Sequence, residues 1–177
     1  MMDREIIKNK QAQILHLRAK ELSKIHEVNK GQKEASLLLV KFLLSRELYG
    51  IETRFLKEVL SLKELTLVPG TLAFIMGVIN VRGKIFPVID PKKFFNLPEH
   101  GITEFNKVIL FDYQNIRFGF VTDEILGTET IPLSAINPTP FPISGIGAEY
   151  IHGITKEGLI ILQGEILIQS KQIQVDQ

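Results

Sequence analysis

Residues 74–95 read FIMGVINVRGKIFPVIDPKKFF, and residues 150–168 repeat the same grammar as YIHGITKEGLIILQGEILI. Phe74, Ile75, Gly77 and Val78 match Tyr150, Ile151, Gly153 and Ile154. Upstream of each stands a second matched segment: FLLSRELYGIETRFLKEVLSL at residues 42–62 and ILFDYQNIRFGFVTDEILGT at residues 109–128. Tyr49, Gly50 and Ile51 match Phe118, Gly119 and Phe120; Glu58, Val59 and Leu60 match Glu124, Ile125 and Leu126 when the second copy is a few residues shorter. A period of about 70 residues is too long for a solenoid, so the pattern predicts two similar β-barrels in tandem. Generic hairpin chemistry, which also yields apolar-Gly-apolar triplets, is the competing account.

The rest of the chain fits an all-β body behind a helical head. After Ser36, short β-branched and aromatic runs alternate with Gly, Pro, Asn and charged turns, the grammar of strands. From Asp3 to about Lys30, Ile6, Ile7, Leu15, Leu17, Leu22, Ile25 and Val28 gather on the half of a helical wheel centred on Ile14; this predicts an amphipathic helix. Gly31 supplies its stop and residues 32–36 a polar linker. The expected units are residues 1–35 (helix and linker), 36–100 (first barrel) and 101–177 (second barrel and C-terminal tail).

Composition narrows the function classes. The 177 residues are 45% hydrophobic, enough to bury a core without a staple. The lack of cysteine excludes disulfides and thiolate metal sites and suits a reducing compartment, so the cytoplasm is the expected location. The opening MMDREIIKNKQAQ lacks an apolar signal core, and no stretch approaches the roughly 18 apolar residues of a membrane span. Net charge is +1 with basic residues spread along the chain, which gives no footprint for nucleic acid. Residues 1–35 carry eight Lys or Arg against five Asp or Glu, and the remainder carries thirteen against fifteen.

Catalytic and metal-binding signatures are missing from the sequence. His16, His26, His100 and His152 show no ligand spacing, and strand alternation places His152 on a solvent face. Ser144 in PISGIG is not in a nucleophile elbow, and Gly145 and Gly147 make a lone GxG rather than a phosphate cradle. Asp123 and Glu124 are strand neighbours facing opposite sides, which favours a solvated edge over a shared proton. No metal or cofactor is expected. The apolar runs LLLVKFLL, FIMGVI and LIILQ point to surface that meets a partner or the sister barrel, and PTPFP (Pro138 to Pro142) reads as a stiff loop. Asn80, Val81, Arg82 and Gly83 form the tip of the 74–90 hairpin, with Gly83 suited to positive φ and Arg82 presented to carboxylates or carbonyls. Spacing alone leaves open whether Arg82 meets a partner or braces the two barrels.

Taken in order, YGIETRFLKEVL, TLAFIMGVINVRGKIFPVIDPKKFF, FGFVTDEILGTETIP and YIHGITKEGLIIL resemble the CheW family of bacterial chemotaxis coupling proteins. The likeness runs from Leu37 to Ile168, and GVINVRG and PVID are its most specific elements. It implies a non-catalytic adaptor of two SH3-like barrels of about five strands each. Such adaptors join the cytoplasmic tip of a methyl-accepting chemoreceptor to the regulatory domain of the histidine kinase CheA, which is built like them. Carried onto this sequence, the receptor-facing groove comprises Leu56, Glu58, Gly77, Asn80, Val81 and Arg82. A helical tip needs such an apolar groove with charged anchors at its rim. The kinase-facing surface falls on the second barrel at Ile125, Leu126 and Phe141. Gln163 and Gly164 depart from the family, which often has an acidic residue where the first copy has Asp90, so hydrogen bonding should differ there. The N-terminal helix is assigned to docking on the barrel or to self-association, ahead of binding a membrane surface.

Two other functions compete. A small-ligand sensor would use the cleft between the barrels and would need convergent polar groups there. A β-barrel enzyme would need a site assembled from distant residues.

Overall fold

The computed structural model describes residues 34–63, 65–99, 101, 103, 105–138 and 147–173. The expected N-terminal helix and Phe141 lie outside them. The strands are β1 (Ser36–Leu44), β2 (Glu47–Glu52), β3 (Leu56–Ser61), β4 (Ile75–Val81), β5 (Lys84–Ile89), β6 (Lys107–Tyr113), β7 (Ile116–Thr122), β8 (Glu124–Pro132), β9 (Ile151–Ile154) and β10 (Ile160–Leu162). Two short helices, α1 (Pro91–Phe94) and α2 (Gly164–Gln169), follow β5 and β10. Three hairpins turn on paired residues with positive φ: Ser45 and Arg46, Gln114 and Asn115, and Arg82 and Gly83. That geometry matches the twist of the strands it joins.

Sheet 1 has the order β8-β1-β2-β10-β9, and sheet 2 the order β3-β6-β7-β5-β4. The repeat therefore holds strand for strand, but each sheet takes two strands from one copy and three from the other. Gly50 faces Ile161 and Gly119 faces Val88 in equivalent parallel pairings. The tandem arrangement divided at residue 100 is corrected by this order, because β6 and β7 pair with β3 and β5, and residues from Ser36 onward form one compact unit. The physical reason is link length. Asp123 alone joins β7 to β8, fewer residues than the tightest hairpin turn, so β8 cannot fold back on β7 and pairs instead with β1. Between β2 and β3 the chain crosses through a 3₁₀ turn, Thr53–Phe55, whose Phe55 is buried.

The end strands of each sheet are also tied to one another. Thr66, downstream of β3, bridges Val78 of β4, and Asn137, downstream of β8, bridges Ile154 of β9. Backbone N–H groups donate both ways, at 2.9 and 2.8 Å in the first bridge and 3.0 and 2.9 Å in the second. Strand order thus closes on itself in both sheets, as in a barrel. Gly77 and Gly153 lie under these bridges, where a Cβ would strike the carbonyl oxygens of Thr66 and Asn137. Gly77 also has φ +147, which disfavours any side chain.

Burial explains the apolar runs. Along β6, Val108 and Leu110 belong to the interior of sheet 2, with Phe86, Val88 and Val121. Ile109 and Phe111 face the other way, into a cluster shared with Phe42 and Tyr49 of sheet 1. Strands covered on both faces lose the polar alternation. In the shared cluster Phe111 stacks on Phe118 at 4.5 Å, and Phe42 meets Phe120 edge-on at 6.4 Å. Such pairs contribute roughly 0.5–1.5 kcal/mol beyond the burial itself. These rings fill the space between the sheets, where a ligand-sensing cleft was the alternative expectation.

Polar groups fix the crossings. Asp123 Oδ2 accepts from the Ser45 N–H at 2.8 Å, and Oδ1 accepts from the nearly buried Lys92 ammonium at 2.6 Å. Asp123 is thus neither a solvated edge nor half of an acid pair: it ties the turn of sheet 1 to α1 of sheet 2. Asp90 caps α1 by accepting from the Lys92 N–H at 2.9 Å, whereas Gln163, at the equivalent position before α2, makes no side-chain cap. The departure noted in the sequence is therefore visible as a lost hydrogen bond. Gly77→Ala is expected to lower unfolding free energy by about 2 kcal/mol through collision and strain. Asp123→Ala should cost about 2 kcal/mol, below the loss for a fully buried ion pair because the carboxylate is part-exposed. Urea titration checks both, and a loss under about 0.5 kcal/mol, the range of neutral surface changes, would contradict either.

Candidate functional site

The residues assigned to the receptor-facing groove gather at one end of sheet 2. Leu56 and Glu58 lie on β3, Gly77, Asn80 and Val81 on β4, and Arg82 on the turn into β5. β3 and β4 are the two end strands of the sheet, and the Arg82 guanidinium spans the seam to Glu58 Oε2 at 3.1 Å. Arg82 is 78% exposed, and its ion pair joins two strands of one sheet rather than bracing one sheet against the other. Asn80 Oδ1 accepts from the Gly83 N–H at 2.9 Å and holds the turn. Leu56 rests half-buried on the shared core and Val81 on the interior of sheet 2. Gly77 is buried and contributes the close approach of Thr66 rather than surface. Among the described residues, Glu58 Oε1 is a buried oxygen without a hydrogen bond.

The two copies differ in length here. Eight residues separate Val78 from its partner Pro87, whereas only five separate Ile154 from its partner Ile160. Sheet 1 closes with the shorter link, so the extra length of the β4–β5 arm is not required to build such a sheet. The arm carries Asn80, Arg82 and Lys84, and also Ile85, which lies opposite Asn80 and is 53% exposed. Ile85 was missed in the sequence. Its signal is parity: Phe86 and Val88 point into sheet 2, which turns Ile85 and Pro87 outward.

Asp112 anchors a second charged group at this end. Lys57 Nζ lies 2.8 Å from its Oδ2, Arg117 Nε 3.2 Å from its Oδ1, and Lys84 Nζ 3.8 Å from Oδ2. The hydrogen bond from Lys57, with a second from Arg117, holds the Asp112 carboxyl below the usual carboxylate range against the opposing effect of burial. A lone acid inside the apolar ILFDY, facing Arg117 across a two-residue turn, was the available signal.

The kinase-facing pair lies elsewhere. Ile125 and Leu126 are on β8, an end strand of sheet 1, which also holds β9 and β10, whereas β6 and β7 of the same copy lie in sheet 2. Ile125 packs on the shared core. Leu126 is 44% exposed at a register shift, because Phe42 pairs with Ile125 and Lys41 with Gly127. His152 is exposed between buried Ile151 and Gly153, as alternation predicts. Among the described residues no three His, Cys, Asp or Glu side chains are placed to hold a metal ion, and no helix is long and apolar enough to cross a membrane.

Because Asp112 is more acidic in the folded chain, its contribution to stability is complete above the unfolded carboxylate pKa of about 4 and is lost as pH falls through the lower folded value. Wild-type stability is expected to drop across that acidic window, and Asp112→Asn to drop less steeply there. Chemical denaturation at stepped pH checks this, and identical slopes would contradict it.

A family model described as a CheW-like domain matches residues 38–172. A relative named Chemotaxis protein CheW from Treponema pallidum (strain Nichols) is 32% identical over 143 residues, 77% of this chain and 84% of the relative. Another of that name from Bacillus subtilis (strain 168) is 34% identical over 114 residues, 64% of this chain and 70% of the relative. The crystal structure of the scaffolding protein TtCheW from Thermoanaerobacter tengcongensis superposes with a TM-score of 0.68 at 31% identity, covering 78% of this chain and 96% of that one.

Proposed function

This chain belongs to the CheW-like family, and from that membership we propose that it is a non-catalytic cytoplasmic adaptor. It couples the cytoplasmic tip of a methyl-accepting chemoreceptor to the regulatory domain of a CheA-type histidine kinase. The observation that carries the reading is the β4–β5 arm, longer than its counterpart in sheet 1 and tipped by an exposed Arg82. A helical tip would lie along Leu56 and Val81 with Arg82 and Glu58 at the rim, the usual build of a helix-binding groove. The Arg82 side of the ion pair is exposed to solvent, which screens its attraction to Glu58 and lets the guanidinium turn to a partner carboxylate. The kinase domain would meet Ile125 and Leu126 on β8 of sheet 1, with Phe141 as the third residue that the resemblance implies. Each sheet would act as an SH3-like barrel, and the pair as one body that fixes the distance between the two partners.

Calorimetric titration with a receptor signalling fragment and a CheA regulatory domain tests the reading. Micromolar binding to both, about −8 kcal/mol each, is expected. Arg82→Glu should weaken receptor binding at least tenfold while kinase binding and the melting temperature stay put. Loss of binding together with the thermal transition would make Arg82 a brace, and a folded chain that binds neither partner would remove these partners.

A further inference from the structure

The end of sheet 2 from which the β4–β5 arm rises holds more positive charge than the fold uses. Among the described residues, the ion pairs there join Lys57, Arg82, Lys84 and Arg117 to Glu58 and Asp112. Over residues 36–177 as a whole, thirteen Lys or Arg face fifteen Asp or Glu, so a net basic end sits on a net acidic body. Sheet 1 shows that the charge is not structural. Counting from the equivalent pairs Lys41 with Gly50 and Leu110 with Gly119, the counterpart of Asp112 facing Arg117 is Leu43 facing Leu48. The same strand order closes over leucines in one sheet and over ions in the other.

Within the cluster the cations are unequally held. Lys57 and Arg117 each lie within hydrogen-bond distance of Asp112, while Lys84 stays at 3.8 Å with 48% of its side chain exposed. An exposed pair at that distance is a weak, screened attraction, and the Lys84 ammonium would give up hydration by turning further inward. Lys84 and Arg82 flank Gly83 on the same turn, beside the exposed Ile85.

The geometry points to a carboxylate-docking site at this end of sheet 2: Lys84, with Arg82, receives an acidic helical segment of the partner, while Asp112 restrains Lys57 and Arg117 as a fixed base. The identity of that partner as the receptor tip rests on the function proposed above. Lys84 is thereby a specificity residue, and Asp112 competes with the incoming carboxylate for the same ammonium. Removing the two therefore has opposite effects, which a purely structural cluster does not produce.

The full chain is titrated with the receptor signalling fragment at about 50 and about 500 mM salt, where the screening length falls severalfold. Wild-type affinity is expected to fall at least tenfold between the two. Lys84→Glu should weaken low-salt binding at least tenfold and flatten the salt dependence, and Asp112→Asn should strengthen low-salt binding severalfold. Kinase-domain binding and the melting curve of each variant report that it is folded. Salt-independent binding, an unchanged Lys84→Glu, or weakened binding by a folded Asp112→Asn would overturn the carboxylate site and leave the adaptor intact. If the wild type ignores the receptor fragment, the receptor assignment falls instead. A Glu-rich helical peptide then serves as probe: binding that Lys84→Glu abolishes supports the site, and no binding overturns it.

Discussion

Asp123 is the whole of the link between β7 and β8, and a one-residue link between strands cannot reverse the chain. The chain must go on in the direction it is travelling, so β8 enters the other sheet and lies along β1. The mirror crossing, from β2 to β3, passes over the buried Phe55. Two crossings in opposite directions exchange strands reciprocally, and neither sheet is then a segment of chain that can be lifted away from the other. The residue that imposes the crossing also secures it, since its carboxylate holds the Ser45 turn and the Lys92 ammonium at once. Around it the aromatic rings of both sheets form one cluster. Surfaces on the two sheets are therefore held in a relation set by a packed core and not by a hinge.

Within that frame the copies diverge where folding does not require them to agree. Glycines at the seams, positive-φ turns and inward apolar positions are kept in both. The cap residue, the length of the second hairpin and the pair beside the first turn are not. Asp90 caps its helix while Gln163 does not, and leucines stand in sheet 1 where sheet 2 has Asp112 and Arg117. A sequence repeat thus supplies an internal control. What both copies share belongs to the fold, and what one copy adds has to be explained by something outside it.

Much of this was legible in the amino-acid order. The matched segments, the Gly83 turn and the outward His152 follow from local rules of backbone geometry and alternation, while the altered hydrogen bonding at Gln163 followed from the family resemblance. Strand partnership does not, because propensity and periodicity say that Tyr49-Gly50-Ile51 is a strand but not which strand lies beside it. Asp123 was read for its charge instead of for its position, and the one-residue link it makes appears only once β7 is seen to run on to Thr122. Lys84 and Ile85 escaped because attention to the tip stopped at Gly83, although the inward parity of Phe86 already turned Ile85 outward. The continuous apolar stretches of β6, β7 and β10 hid their two destinations, since residues facing the interior and residues facing the sister sheet look alike in sequence.

Strand exchange also orders events during synthesis. Sheet 2 is built from a single stretch, residues 56–122, and all its pairing partners exist once Thr122 has left the ribosome. Sheet 1 draws on residues 36–52 and 124–162, so the first hairpin to be made must wait for the last strands to arrive. Through that interval β1 has no β8 and β2 has no β10, and both outer edges of the hairpin stay open to whatever strand comes near. The aromatic face of the finished sheet 2 is a native surface for the hairpin among the described residues, with Phe42 against Phe120 as a contact. The central core is therefore more than the mortar between two sheets: it is where the earliest-made strands of the body meet a sheet that is complete before their own neighbours are translated.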